Sequence, residues 1–322
     1  MYELHWGLPV IGYLFLAGVG AGAYTVSAYV LLRTSGEQLH DDRFSIARYG
    51  ALLAPIPLIA GTGMIIFELG TFHAAIAHGD VGLFFRWIRL FLTINMSPMS
   101  IGSWVLGLCI IASVLYAYTF LAGDSAPGDG KAKLRQVMAW LGIPLGISVA
   151  IYTGVMLGAA PARPFWNSPM LALLFLVSAL STGVAAILLL RALVGGSHAG
   201  GENKAAYRLA STDVMLICLE ALAIILFIMF AQLTIGNSAH AVSIILPGGE
   251  LATMFWVGVV VVGLLLPVLI ELRYVVPTLF YRQSYAMPRG TEVLVCAAIL
   301  LGGFMLRYVV VLAGQMTGPM GI

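Results

Sequence analysis

The chain of 322 residues is 61% hydrophobic and only 9% charged, with a formal net charge of +2 at pH 7. Its mean hydropathy of +0.99 is far beyond what filling a soluble core requires, which excludes a water-soluble globular domain and marks an integral membrane protein. So small a net charge says little about partners. Three cysteines in separate apolar runs, Cys109, Cys218 and Cys296, support neither a disulfide framework nor a Cys-ligated cluster.

A helix that crosses a hydrocarbon core of about 30 Å needs about 20 apolar residues. Eight stretches qualify, at 8–32, 49–70, 99–121, 136–160, 168–190, 209–235, 251–272 and 291–313. The expected fold class is therefore all-α, with eight transmembrane helices in a single transmembrane domain over residues 1–322. No Lys or Arg precedes the first stretch, and Arg33 follows it, so it reads as a retained span rather than a cleaved signal.

The basic residues orient the chain. The first, third, fifth and seventh loops hold Arg33, Arg43, Arg48, Lys131, Lys133, Arg135, Arg191, Lys204, Arg208, Arg273, Arg282 and Arg289. The opposite side holds only Arg86, Arg89 and Arg163. Under the positive-inside rule both termini lie outside a prokaryotic cytoplasmic (inner) membrane.

Two connections stand out. Gly123 to Lys133 is rich in Gly, Asp, Ser and Pro and reads as a simple linker. Thr71 to Met96 mixes His73, His78, Asp80, Arg86 and Arg89 with Phe and Trp, which suits either an interfacial connecting helix or a docking platform for a soluble partner.

The halves of the chain resemble each other. Tyr13–Gly22 in span one is similar to Leu173–Gly183 in span five, and Arg48 and Arg208 precede spans two and six. Tyr152 and Tyr308 fall in spans four and eight, and Trp104 and Trp256 in spans three and seven. Matches four spans apart, in order, predict two parallel four-helix bundles.

Charges inside spans are functional candidates by default. Arg307 lies within span eight, while Asp213 and Glu220 lie seven residues apart on one face of span six. Asp213 and Glu220 read either as steps of a proton path or as structural residues, with Glu220 compensating Arg307; Glu68 is the other candidate partner. Glu271 and Arg273 read as an interfacial pair. The six histidines, His5, His40, His73, His78, His198 and His240, all fall at span ends or in loops, which argues against a buried bis-His haem. No nucleotide fingerprint and no closely spaced Cys/His metal motif is present.

Several ordered stretches carry a family resemblance. They are Tyr13–Gly22, Ser97–Trp104, Tyr152–Leu157, Pro164–Asn167 with Leu174 and Phe175, and Gly302–Gln315. Together they resemble the NrfD / polysulfide reductase membrane-subunit family over most of the chain. The resemblance implies a quinone-binding membrane anchor of a molybdopterin oxidoreductase complex. Molybdopterin and iron–sulfur clusters are then expected only on partners, a molybdopterin catalytic subunit and a four-cluster ferredoxin-like iron–sulfur subunit, with no nucleic acid involved. Menaquinone or ubiquinone is the implied mobile cofactor, with no haem and no metal of the chain's own.

On this resemblance Tyr152 matches the family's fourth-span tyrosine, and Tyr13 falls where a histidine would stand in a polysulfide-reductase-like chain. Tyr13, Tyr152, His73, Glu68, Trp166 and Asn167 are the quinone-site candidates, with His73 or Glu68 exchanging protons. Asp213, Glu220, Arg307 and Tyr308 are the candidates for proton transfer or a supporting polar network. The alternative, from the repeats and buried charges, is a secondary transporter or a proton-translocating module without a redox partner.

Overall fold

The computed structural model describes residues 6–33, 42–68, 79, 88, 97–121, 130–194, 204–234, 236–281, 285 and 287–318, without the side chains of residues 42, 68, 98, 204, 205 and 281. Among these residues there are helices and no strand. Eight helices are long and apolar enough to cross a membrane: Leu8–Leu32, Arg43–Phe67, Met99–Leu121, Gly130–Gly158, Met170–Val194, Ala206–Leu233, Met254–Phe280 and Arg289–Met316. They are numbered here spans one to eight. An even number of crossings brings Leu8 and Met316 to one face, the terminal face. The Arg- and Lys-rich connections fall on the other, the basic face.

Each expected span is a helix, and spans two, four and seven outrun their apolar stretches on the basic face. Helix starts at Asp42 and at Gly130, and continues to Tyr281. Lys131, Lys133 and Arg135 are good helix formers with long apolar stems, so the helix continues past the point where hydropathy registers it. The last part of the expected Gly123–Lys133 linker is thus helical. Most of Thr71–Met96 lies outside the described residues, including His73, His78, Asp80, Arg86 and Arg89.

Prolines interrupt two spans. Span two consists of helices Asp42–Leu53 and Pro55–Glu68 meeting at Ala54. Pro55 has no N–H to donate and its ring crowds the carbonyl four residues back, yet its fixed φ suits the first position of a new helix. Span seven opens as a π-helical stretch, Met254–Leu265, that ends two residues before Pro267.

Span one packs against spans two, four and five, and span five against spans four, six and eight. Span three lies on span four, and span seven on span eight. Spans one and five are the most buried of the eight. Their backbones touch: a Cβ on Gly22 would run into the Ala179 carbonyl, and one on Gly183 into the backbone of Gly22. Such close approach replaces side-chain packing with direct backbone contact, the usual role of small residues between helices in lipid.

Candidate functional site

At the terminal-face end of the first four spans, Tyr13 lies in the second turn of span one and is 4% exposed. Tyr152, from span four, sits close enough for the two phenols to interact electrostatically. The Tyr152 ring occupies the space in which any side chain at position 102 would stand. Gly102 belongs to the Ser97–Trp104 stretch of span three, so a missing side chain there is what lets the ring lie between the spans. The Tyr152 hydroxyl donates to the Met156 thioether at 3.5 Å, a weak acceptor that leaves the phenol readily redirected to a carbonyl oxygen. The Met64 thioether of span two stands against Gly12, 2.6 Å from where a Cβ would be, and completes the ring of four spans. Span two ends at Glu68, whose side chain, like all of His73, is outside the described residues.

Trp166 and Asn167 lie in the connection between spans four and five. The Trp166 ring stacks on Trp6, with centroids 5.0 Å apart, and its indole N–H donates to the Val310 carbonyl at 2.8 Å. A side chain at Gly314 would collide with this ring. Gln315 Oε1 accepts from the Trp6 backbone N–H at 2.9 Å, and Arg163 Nη1 donates to the Gln315 carbonyl at 3.0 Å. The connection thereby clamps the start of the described chain to the end of span eight. Asn167 is exposed.

Arg307 is 1% exposed, deep in spans five to eight. Its Nη1 donates to Ser178 Oγ at 2.5 Å and to the Gly303 carbonyl at 2.8 Å, and the guanidinium lies over the Phe175 ring at 5.2 Å. Its Nε has no hydrogen-bond partner among the described residues. The Glu220 carboxyl faces the Ser178 hydroxyl and lies within reach of the Arg307 charge. Tyr308, one residue on, turns away and tilts against Phe304 with centroids 6.4 Å apart.

The buried acids continue toward the basic face. Asp213 is fully buried; its Oδ1 accepts from Ser181 Oγ at 2.9 Å, and its Oδ2 has no partner among the described residues. Asp213 interacts electrostatically with Glu220 on one side and Glu271 on the other. Glu271 is 2% exposed, which corrects its reading as half of an interfacial pair. Residues two apart do not share a helix face, so Arg273 points outward while Glu271 turns into the protein. Beyond it Tyr285, in the connection between spans seven and eight, has its phenol pushed above the usual tyrosine range, first by burial and then by the Glu271 charge. Serines of span five, acids of spans six and seven and the arginine of span eight thus form one line of ionisable and hydroxyl groups. Among the described residues no three His, Cys, Asp or Glu side chains cluster as a metal site.

The family model described as polysulphide reductase, NrfD, matches residues 1–319. The chain belongs to this family. The C component of polysulfide reductase from Wolinella succinogenes is 32% identical over 96% of this sequence and 94% of its own. Protein NrfD of Escherichia coli is 27% identical over 98% and 96%. The C component of selenate reductase from Mesobacillus selenatarsenatis is 24% identical over 82% of this sequence and 66% of its own.

Within this NrfD-family protein, several site features have weak sequence signals. Ser178 and Ser181 are ordinary small residues of an apolar helix, and only their register against Arg307 and Asp213 gives them partners. Gly102 lies in a family-like stretch, but its role emerges only from the ring that covers it. Trp6 lies before the first span, with nothing local to announce its stack on Trp166.

Proposed function

We propose that this NrfD-family protein is the membrane subunit of a molybdenum–iron–sulfur reductase complex and exchanges electrons between membrane quinone and an iron–sulfur partner. The observation that carries the reading is the pairing of Tyr13 with Tyr152, whose ring lies over Gly102, at the terminal face. Two of its relatives are named as one lettered component among several, of a polysulfide reductase and of a selenate reductase, which supports the placement beside a separate catalytic subunit. The contacts along spans one and five support two four-helix bundles joined at that seam.

The quinone, when bound, supplies the electron chemistry. The residues here supply hydrogen bonds and protons. Tyr152, whose hydroxyl donates to a thioether among the described residues, turns it to one quinone carbonyl oxygen, and Tyr13 lies within reach of the same head group. Glu68 and His73 exchange protons at that end, while Trp166 fixes the terminal face and Asn167 presents a polar group on it. Asp213 and Glu220 carry protons between the two faces, with Arg307 and Tyr308 bordering the line and Glu271 extending it toward the basic face.

The helix geometry weighs against a secondary transporter, whose halves carry matched broken helices. Span two breaks at Ala54, but its counterpart, span six, runs without a break from Lys204 to Leu233. Purification of the protein with its neighbours is the test. Iron–sulfur absorbance is expected, with reduction or oxidation of a quinone analogue that falls about tenfold or more in Tyr152→Phe while the absorbance stays; a colourless lone protein that moves solute into vesicles would overturn the reading.

A further inference from the structure

The strongest unexplained feature lies at the opposite end of the molecule from the tyrosine pair. A cavity of about 750 Å³ opens on the basic face between spans one, two, four, five and six. Arg33, Arg43 and Arg208 stand around it, and no acidic side chain among the described residues lines it. Two of these arginines are fixed in place: Arg43 Nη1 donates to the Arg33 carbonyl at 3.1 Å, and the Arg33 guanidinium lies over the Tyr29 ring at 5.3 Å. Ser211 also lines the cavity, with a buried hydroxyl that has no hydrogen-bond partner among the described residues.

The interior has the opposite character. Ile143, Ile147 and Leu180 line it from spans four and five, well inside the lengths of both helices. A small anion would satisfy the arginines and leave this apolar wall wet. A neutral lipid would cover the wall and offer no negative charge to Arg33 and Arg208. An amphiphile with an anionic head and acyl chains meets both, and basic pockets between helices are where such head groups bind.

We propose that this cavity is a binding site for an anionic diacyl phospholipid of the basic-face leaflet, its phosphate held by Arg33 and Arg208. Its acyl chains lie along Ile143, Ile147 and Leu180. Because the lining comes from both halves of the protein, the bound lipid bridges them beside the span carrying Asp213.

The test is native mass spectrometry of the full chain, or of its complex, after delipidation and titration with phosphatidylglycerol, phosphatidylcholine or inorganic phosphate. Phosphatidylglycerol is expected to bind at least about tenfold more tightly than phosphatidylcholine. Arg33→Gln with Arg208→Gln should remove that preference, while Arg273→Gln, an exposed charge on the same face, should leave it intact. Leu180→Trp should weaken phosphatidylglycerol binding with every charge retained, which keeps the site testable if the double variant does not fold. Equal affinity for both lipids, unchanged binding in the variants, or displacement of phosphatidylglycerol by millimolar phosphate would each overturn the proposal.

Discussion

Arg307 and Glu220 meet through one hydroxyl. Nη1 of Arg307 donates to Ser178 Oγ, and the same oxygen faces the Glu220 carboxyl. A serine of span five thus links the arginine of span eight to the acid of span six. Removing one member of a buried charge pair leaves the other uncompensated, at about 3–5 kcal/mol. Arg307→Met should therefore destabilise the protein severely, with the loss read as a lower midpoint of thermal unfolding in detergent. Arg307→Met combined with Glu220→Gln should recover part of it, because the second change removes the orphaned charge. Ser178→Ala should cost less, about 1–3 kcal/mol.

Tyr152→Phe keeps the ring against Gly102 and removes only its hydroxyl. Quinol-analogue turnover by the purified complex should fall about tenfold or more, as expected for loss of a group that hydrogen-bonds or exchanges protons with the substrate. Gly102→Ala should produce a comparable loss by displacing the same ring. Wild-type rates in both variants would remove the tyrosine pair from the site.

Glu220→Gln and Glu271→Gln should each separate electron transfer from proton movement. In liposomes with the complex, quinone-linked electron transfer should persist while the accompanying pH change across the membrane falls. Arg273→Gln, with its side chain outside the protein, should alter neither. Full coupling in both glutamine variants would reject the relay.

Trp166→Ala opens a cavity against Trp6 and strips the Val310 carbonyl of its donor. The expected cost is about 3–5 kcal/mol of stability. Turnover per folded molecule should stay near wild type, so a selective rise in KM for quinone would instead assign Trp166 to the substrate.

The eight helices are legible because a bilayer imposes one length and one polarity on every crossing, and apolar runs report both directly. Their ends are less so. The Lys131–Arg135 turn and the Asp42 start project beyond the hydrocarbon, where hydropathy stops distinguishing helix from loop. At the candidate site, residue type and motif single out Tyr13 and Tyr152, and the structure brings them together. Glu271 misleads because its neighbour Arg273 suggests a local ion pair, while its true surroundings come from span six, far off in sequence. Ser178 and Ser181 show the same difficulty: a hydroxyl that can bond its own helix carries no visible mark when it bonds a distant charge instead.

The contact between Gly22 and Gly183 limits how this molecule can move. Helices that meet through side chains can slide, because rotamers re-form the interface at each step. Spans one and five meet backbone to backbone at their centre, so one half cannot tilt past the other without prying the pair apart. A machine hinged on that seam would have to break it in every cycle. On the proposed proton path, protons would travel by hops between fixed groups rather than by a rocking gate, and inhibitors that block it should act as plugs and not as wedges.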